Sequence, residues 1–189
     1  TIVFGHAKSA DSRARAAYAM GRSGNPLAIE QLVQALVDAS PKVRRSAARA
    51  LGETASTSAT GALVRELLNG ESDIRSEAAE ALGRLGHAEG IDSLINALED
   101  SDPRVRISAI SGLAAVQGEE VHELLFWHFG SAFDRLTFPT LIDVLSERGD
   151  MRIVGPALRH LDDFGSGAVR MQLLNGACRA LGAGDQFYR

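Results

Sequence analysis

Apolar residues recur along the chain with the spacing of an α-helix. In one stretch, Val43, Ala47 and Leu51 fall at positions i, i+4 and i+8, which places them on one stripe of an amphipathic helix. A later stretch repeats this spacing, with Leu94 and Leu98 on its apolar side. Glycines separate such stretches, so the pattern predicts pairs of amphipathic helices joined by tight turns.

The same pattern returns every 31 residues. Segment 41–52 aligns with segment 72–83 without a gap, and other positions follow at the same offset. The clearest columns are Ala16, Ala47, Ala78 and Ala109, then Met20, Leu51, Leu82 and Leu113, then Leu32, Leu63, Leu94 and Leu125. A pair of short helices cannot bury its apolar face alone, so successive pairs must stack on one another. The sequence therefore predicts an all-α fold, a right-handed α-solenoid of about six antiparallel helix pairs.

We expect one domain over residues 1–189, divided by this period into repeats. Their approximate bounds are 11–40, 41–71, 72–102, 103–133 and 134–165, with a partial repeat at 166–189. The register slips by a residue or two after the fourth repeat. Residues 1–10 match the end of a preceding repeat, so we expect the chain to be a fragment of a longer protein.

Turn-forming residues mark the helix ends. Gly21, Gly52 and Gly83 follow the first helix of three repeats, and we expect them to adopt the left-handed conformation that ends a helix. Ser40-Pro41 and Asp102-Pro103 begin later repeats. There the Ser or Asp is placed to cap the helix, and proline is tolerated in its first turn.

Two segments resemble a known repeat family. The run from Asp102 to Arg106 and the block from Ala78 to Gly86 are similar to the short HEAT-like repeats of the phycobilisome lyases. This resemblance implies a HEAT- or armadillo-like superhelix whose second helices line a concave, partner-binding face. It leads us to expect a non-catalytic protein-interaction module or scaffold. A phycobilin lyase or isomerase subunit, acting on a tetrapyrrole and its protein, remains the alternative.

One column of the second helices stands out as a candidate binding surface. The 31-residue offset places Trp127 where earlier repeats have Gln34, Arg65 and Asn96. Tryptophan at an exposed position is typical of an interface hot spot, although it equally suits a residue that fills a gap in an irregular stack. The predicted partner-binding residues are Gln31, Gln34, Arg65, Asp92, Asn96, Glu123, Trp127 and His128.

A second column consists of arginines. Its members are Arg13, Arg44, Arg75 and Arg106. A guanidinium can join neighbouring repeats by hydrogen bonds to carboxylates or backbone carbonyls, such as those near Asp73 and Asp102. We therefore predict a structural ladder at this column in preference to a charged track for an acidic partner.

The pair His122-Glu123 raises the question of a metal centre. The deoxyhypusine hydroxylases have a similar HEAT-like fold and hold two irons with repeated His-Glu pairs. This chain has a single such pair, whereas a metal site needs several converging ligands. We expect His122 to be a surface histidine, and the sequence predicts no metal and no cofactor.

Composition and charge narrow the remaining classes. The net charge is -4, and residues 73–133 carry eleven Asp or Glu against four Lys or Arg, which opposes nucleic-acid binding and leaves it as a third, less favoured alternative. No apolar run is long enough for a membrane span, and we expect a cytoplasmic protein. No phosphate loop or nucleophile motif is present in the sequence. We therefore expect no enzyme and a protein partner, with the oligomeric state left open.

Overall fold

The fold is all-α, as the periodicity predicts. The computed structural model describes residues 9–23, 25–54, 56–116, 118–131 and 134–182, and within these ranges it contains no β-strand. The helices are α1 (Ala10–Arg22), α2 (Pro26–Ala35), α3 (Pro41–Gly52), α4 (Thr57–Asn69), α5 (Ser72–Leu85), α6 (Ala88–Ala97), α7 (Pro103–Ala115), α8 (Glu119–Ser131), α9 (Phe138–Glu147), α10 (Val154–Arg159) and α11 (Gly167–Ala180). Two 3₁₀ turns, Met151–Ile153 and Leu161–Asp163, flank α10.

The chain divides into two compact units. Unit 1 spans residues 1–116 and contains α1 to α7, and unit 2 spans residues 117–189 and contains α8 to α11. In unit 1 the first helices α1, α3, α5 and α7 pack in succession, while the second helices α2, α4 and α6 pack along them. Unit 1 is thus a stack of antiparallel helix pairs of the HEAT and armadillo kind.

The leucines of the second helices anchor unit 1. Leu32, Leu63 and Leu94 occupy equivalent positions in α2, α4 and α6, and each has no solvent exposure. Burial of each such side chain stabilises the fold by about 1.5–3 kcal/mol. Because these leucines fix one side of each helix inward, the residues two positions away on either side face outward.

The glycines at the ends of the first helices have another role than the predicted one. Gly21, Gly52 and Gly83 lie inside α1, α3 and α5, are buried, and are absent from the positive-φ glycines of the described residues. A Cβ on Gly52 would lie 2.8 Å from the Cα of Ala81. The prediction of left-handed caps was therefore wrong at all three. These glycines let successive first helices approach closely, and the left-handed cap falls at Gly86, with φ 66°.

Of the two residues predicted to cap the start of a helix, one forms the capping hydrogen bond and the other does not. The Asp102 carboxylate accepts a hydrogen bond from the Arg104 amide at 2.9 Å, which caps α7 before Pro103. Ser40 precedes Pro41 with extended backbone, but its side chain makes no capping hydrogen bond. In both places proline occupies the first helical turn, where an amide hydrogen has no partner within the helix.

Unit 2 is built around aromatic rings. Phe129 of α8 and Phe138 of α9 are buried and stacked, with ring centroids 4.9 Å apart, and Phe164 packs at 6.2 Å from Phe138. Helices α9 and α10 both pack against α11.

Two predictions about the chain ends fall partly outside the described residues. They are the end of a preceding repeat at residues 1–10, of which 1–8 are not described, and the partial repeat at 166–189, of which 183–189 are not described. Across the described ranges, no helix combines the length and hydropathy needed to cross a bilayer.

Candidate partner-binding faces

The outward residues of the second helices form a regular surface in unit 1, which we call the unit 1 face. It comprises Leu27, Glu30, Gln34 and Val37 from the α2 repeat, Ser58, Gly61, Arg65 and Leu68 from α4, and Glu89, Asp92, Asn96 and Glu99 from the α6 repeat. All twelve are exposed, and the three rows are related by the 31-residue offset. Their spacing of three, four and three residues is that of one side of an α-helix.

Large apolar side chains are exposed on this face. Leu27 is 71% exposed, Val37 78% and Leu68 61%. Val37 and Leu68 occupy the same column, so we refer to these two residues as the apolar ledge. Between the outer rows, Gly61 carries no side chain, and a Cβ there would meet no atom within 4 Å. The centre of the face is therefore open.

The charges of the unit 1 face are mostly negative. Glu30, Glu89, Asp92 and Glu99 contribute four carboxylates, and Arg65 contributes the one guanidinium among the twelve residues. Within the described parts of the chain, no ion pair involves Glu30, Glu89 or Asp92. Their charges are thus directed at solvent.

A corresponding surface occurs in unit 2, the unit 2 face. The 31-residue offset continues from the α6 row to Glu120, Glu123, Trp127 and Gly130 on α8, and all four are exposed. The Trp127 side chain is 72% exposed. An indole left in water offers apolar area and an N–H donor to a partner.

Glu123 of this face is held by an arginine. Arg152 donates hydrogen bonds of 2.7 and 3.2 Å to the Glu123 carboxylate and a further bond of 2.7 Å to Asp150. Its guanidinium also lies 3.9 Å above the ring centroid of Phe126, a cation–π distance. The Arg152 hydrogen bonds lower the pKa of Glu123 and bring the pKa of Asp150 to about 2, from an ordinary 3.8. Arg152 therefore joins α8 to the start of the next second helix.

His122 lies beside this cluster and is buried, with 5% of its surface exposed. Its Nε2 is 3.0 Å from Oδ2 of Asp150, whereas its buried Nδ1 has no hydrogen-bond partner among the residues that the structure describes. The prediction of a surface histidine was therefore wrong. Burial of the imidazole is tolerated because the Asp150 carboxylate, 28 residues later, forms a hydrogen bond with one of its ring nitrogens. Within the described ranges, no cluster of three or more His, Cys, Asp or Glu residues is suited to a metal ion.

The arginine column makes two kinds of contact, one within a repeat and one to the preceding repeat. Arg13 donates two hydrogen bonds of 2.8 Å to Asp38, and Arg75 donates two of 2.8 Å to Asp100. These bidentate pairs connect the first helix of a repeat to the end of its second helix. The Arg13 hydrogen bond lowers the pKa of Asp38, and the Arg75 hydrogen bond lowers that of Asp100.

The column also contacts the preceding repeat, where Arg75 donates to the backbone carbonyl of Gly70 at 3.0 Å. Arg44 donates to the backbone carbonyl of Asp38 at 2.9 Å, and Arg106 donates to that of Asp100 at 2.8 Å. The carboxylates that serve the column are Asp38 and Asp100, together with Glu71, which pairs with Arg44 at 3.0 Å. Asp73 instead pairs with Arg104 at 2.8 Å.

The predicted partner-binding residues fall in different environments. Gln34, Arg65, Asp92 and Asn96 belong to the unit 1 face, and Glu123 and Trp127 belong to the unit 2 face. Gln31 and His128 are half-buried, and Gln31 lines a cleft of about 370 Å³ between α1 and α2. Sequence reasoning missed the exposed positions Leu27, Val37, Leu68, Glu89 and Glu99, although the same 31-residue offset relates them.

Comparison with known protein families identifies the repeat. A family described as HEAT repeats matches residues 5–75 and 62–137, which together cover more than half of the chain. The chain belongs to the HEAT-repeat family. No curated protein sequence matches it.

Solved structures share the HEAT-type fold. The complex of CpcE and CpcF of phycocyanin lyase from Nostoc sp. PCC7120 superposes with a TM-score of 0.62 at 20% identity, over 75% of this chain and 93% of that one. The archaeal HEAT-like repeats protein from Thermococcus onnurineus NA1 gives 0.54 at 14% identity, over 92% and 81%. A designed armadillo repeat protein in complex with the peptide (KR)4 gives 0.56 at 18%, over 93% and 92%. At such identities the likeness extends to the fold alone.

Proposed function

We propose that this HEAT-repeat chain is a non-catalytic interaction module that binds another protein through the exposed faces of its second helices. The observation that carries the proposal is the unit 1 face, where the second helices of three successive repeats present side chains in one register. Exposed Leu27, Val37 and Leu68 give this face apolar area that no described neighbour covers. Contiguous exposed apolar area on a folded protein is typical of a binding surface.

Trp127 supports the same role for unit 2. Tryptophan is among the residues most often found as energetic hot spots at protein interfaces. Here the indole is largely in solvent, and Glu123, one helical turn before it and paired with Arg152, provides a polar neighbour of the kind found at an interface rim. We assign the partner contact of unit 2 to Trp127, with Glu123 at its edge.

Two substitutions test the assignment. The partner is isolated by affinity capture from the native source, produced separately, and titrated calorimetrically against wild type, Arg65→Ala and Trp127→Ala. Truncating a hot-spot residue weakens binding by about 2 kcal/mol or more, a factor of roughly thirty in Kd.

The controls are Arg45→Ala and Tyr18→Ala, which remove an exposed arginine and an exposed tyrosine from the first helices α3 and α1. Both controls should bind the partner like wild type. Unchanged affinity in Arg65→Ala and Trp127→Ala would refute the second-helix assignment.

A phycobilin lyase-type subunit is the second candidate, because CpcE and CpcF of phycocyanin lyase share the fold. In this alternative the surface of the second helices holds a tetrapyrrole against its acceptor protein. Incubation of the chain with phycocyanobilin and apo-phycocyanin distinguishes the two functions. A covalent chromophore absorbance that exceeds the chain-free control favours the lyase, and an unchanged spectrum favours the interaction module.

A further inference from the structure

We propose that the unit 1 face receives an extended, positively charged segment of the partner protein that also carries an apolar side chain. The inference rests on the proposed function and specifies the chemistry of its partner. It is carried by the joint presence of the apolar ledge, the open centre at Gly61 and the carboxylates of Glu30, Glu89 and Asp92, which form no ion pair within the described residues.

Charge complementarity indicates that the bound segment of the partner is positively charged. The twelve residues of the face carry four carboxylates and one guanidinium, a net charge of -3. In this proposal the Arg65 guanidinium donates to backbone carbonyls of the extended segment, so Arg65→Ala removes those hydrogen bonds and weakens binding. Glu89 and Asp92 lie three residues apart on one side of α6, and Glu30 lies in the Asp92 column on α2. A lysine or arginine side chain that docks here meets the carboxylates of Glu30, Glu89 and Asp92, which have no competing ion pair within the described residues. Phosphates of a nucleic acid would instead be repelled.

The apolar ledge sets the second requirement. Val37 and Leu68 are more than 60% exposed and occupy equivalent positions in adjacent repeats. An apolar partner side chain that covers the ledge removes water from both residues, and each buried methylene contributes about 0.8 kcal/mol. A purely cationic ligand leaves the apolar ledge exposed to water, so the preferred segment combines basic residues with at least one Leu, Ile or Phe.

The spacing of the helices favours an extended conformation. Packed helices lie about 10 Å apart, and an extended chain advances about 3.3 Å per residue. About three residues therefore span the distance from one second helix to the next. Gly61 at the middle row allows the peptide backbone to cross α4 without meeting a side chain. A segment of about nine residues reaches all three rows.

The experiment uses three fluorescein-labelled nine-residue peptides and the full chain. The first probe contains lysine, leucine and arginine in alternation. The second probe has glutamate in place of each lysine and arginine of the first. The third probe keeps the lysines and arginines but has serine in place of each leucine. Fluorescence anisotropy gives each Kd at 50 and 300 mM NaCl. We expect the first probe to bind most tightly, with a Kd that rises at least tenfold at the higher salt.

Charge-reversal variants locate the site. The double variant Glu89→Lys/Asp92→Lys should weaken the first probe at least tenfold. The matched control Glu147→Lys/Asp162→Lys makes the same change in net charge at exposed residues of unit 2 and should leave the Kd within twofold. Leu68→Ser should weaken the first probe and leave the third unchanged. Circular dichroism verifies that each variant folds.

The outcomes separate this inference from the function on which it rests. Equal binding of the basic and acidic probes, or equal loss in the control variant, overturns the cationic segment. The partner titrations with Arg65→Ala and Trp127→Ala are independent of these probes. If those titrations show weakened binding while no basic probe binds, the interaction module stands and the cationic segment is wrong. If neither effect is seen, both are wrong.

Discussion

Arg75 and Asp100 form a bidentate ion pair with two hydrogen bonds of 2.8 Å, and Arg13 and Asp38 repeat it 62 residues earlier. At the intermediate position the acid is replaced by Asn69, and Arg44 pairs with Glu71 at 3.0 Å instead. A neighbouring column also alternates in sign, as Asp11, Lys42, Asp73 and Arg104. Unit 1 therefore combines a 31-residue packing period with a 62-residue period of charge.

The Arg75–Asp100 pair should contribute measurably to stability. Both side chains are less than 20% exposed, so Asp100→Asn leaves a poorly solvated guanidinium without its carboxylate. A hydrogen-bonded charge in such a position is worth about 1.5–3 kcal/mol, and urea unfolding should show a loss of this size.

Asp11→Asn is the matched control, because Asp11 and Lys42 are both more than 60% exposed. It should leave the urea midpoint unchanged, since exposed ion pairs contribute little. Equal midpoints for the Asp100 variant and wild type would show that the ladder has no stabilising role.

Acid should weaken unit 2 through Asp150. The folded pKa of this carboxyl is about 2 and its ordinary value is 3.8, because Arg152 and His122 hydrogen-bond the ionised form. A lowered folded pKa means that the stabilisation is fully present above 3.8 and is lost as the pH falls toward 2. In thermal unfolding, Asp150→Asn should flatten the decline of Tm between these values. Asp162→Asn, at an exposed aspartate, should retain the wild-type slope.

The glycine contacts between first helices predict opposite effects of the same substitution. Gly52→Ala forces a methyl group against Ala81 and should destabilise the chain by about 1–3 kcal/mol. Gly61→Ala places its methyl group in open solvent on α4 and should stabilise the helix by about 0.5–1 kcal/mol. A denaturant midpoint of Gly52→Ala that equals or exceeds the wild-type value would contradict the packing role of Gly52.

Trp127→Ala separates a binding residue from one that fills a gap in the stack. The indole is 72% exposed, so its removal should change the free energy of unfolding by less than about 0.5 kcal/mol. Phe129→Ala, at a ring that is 5% exposed, should cost about 3–5 kcal/mol. A large loss of stability in Trp127→Ala would identify the tryptophan as part of the core.

The helical pairs could be predicted from sequence because apolar burial is periodic and local. The offset that links Leu32, Leu63 and Leu94 identifies the buried side of each second helix. The same offset failed for glycines, because a glycine at a helix end suits both a cap and a close helix contact. Gly52 is resolved only by the position of Ala81, 29 residues later.

The environment of His122 could not be read from its neighbours in sequence. Its partner Asp150 lies 28 residues ahead, in the part of the chain where the repeat register slips. A search restricted to 31-residue columns therefore passes over the pair. The exposed apolar ledge was missed for another reason. Val37 and Leu68 fit the helical spacing of core residues, and only the fold shows that they lie in solvent.

Binding through the second helices is tested by amide hydrogen exchange of the chain with and without its partner protein. The partner should slow amide exchange in α2, α4, α6 and α8, which carry the unit 1 and unit 2 faces. Exchange in the first helices α1, α3, α5 and α7 should remain within error of the free chain. Protection confined to those first helices, with unchanged exchange around Arg65 and Trp127, would contradict binding through the second helices.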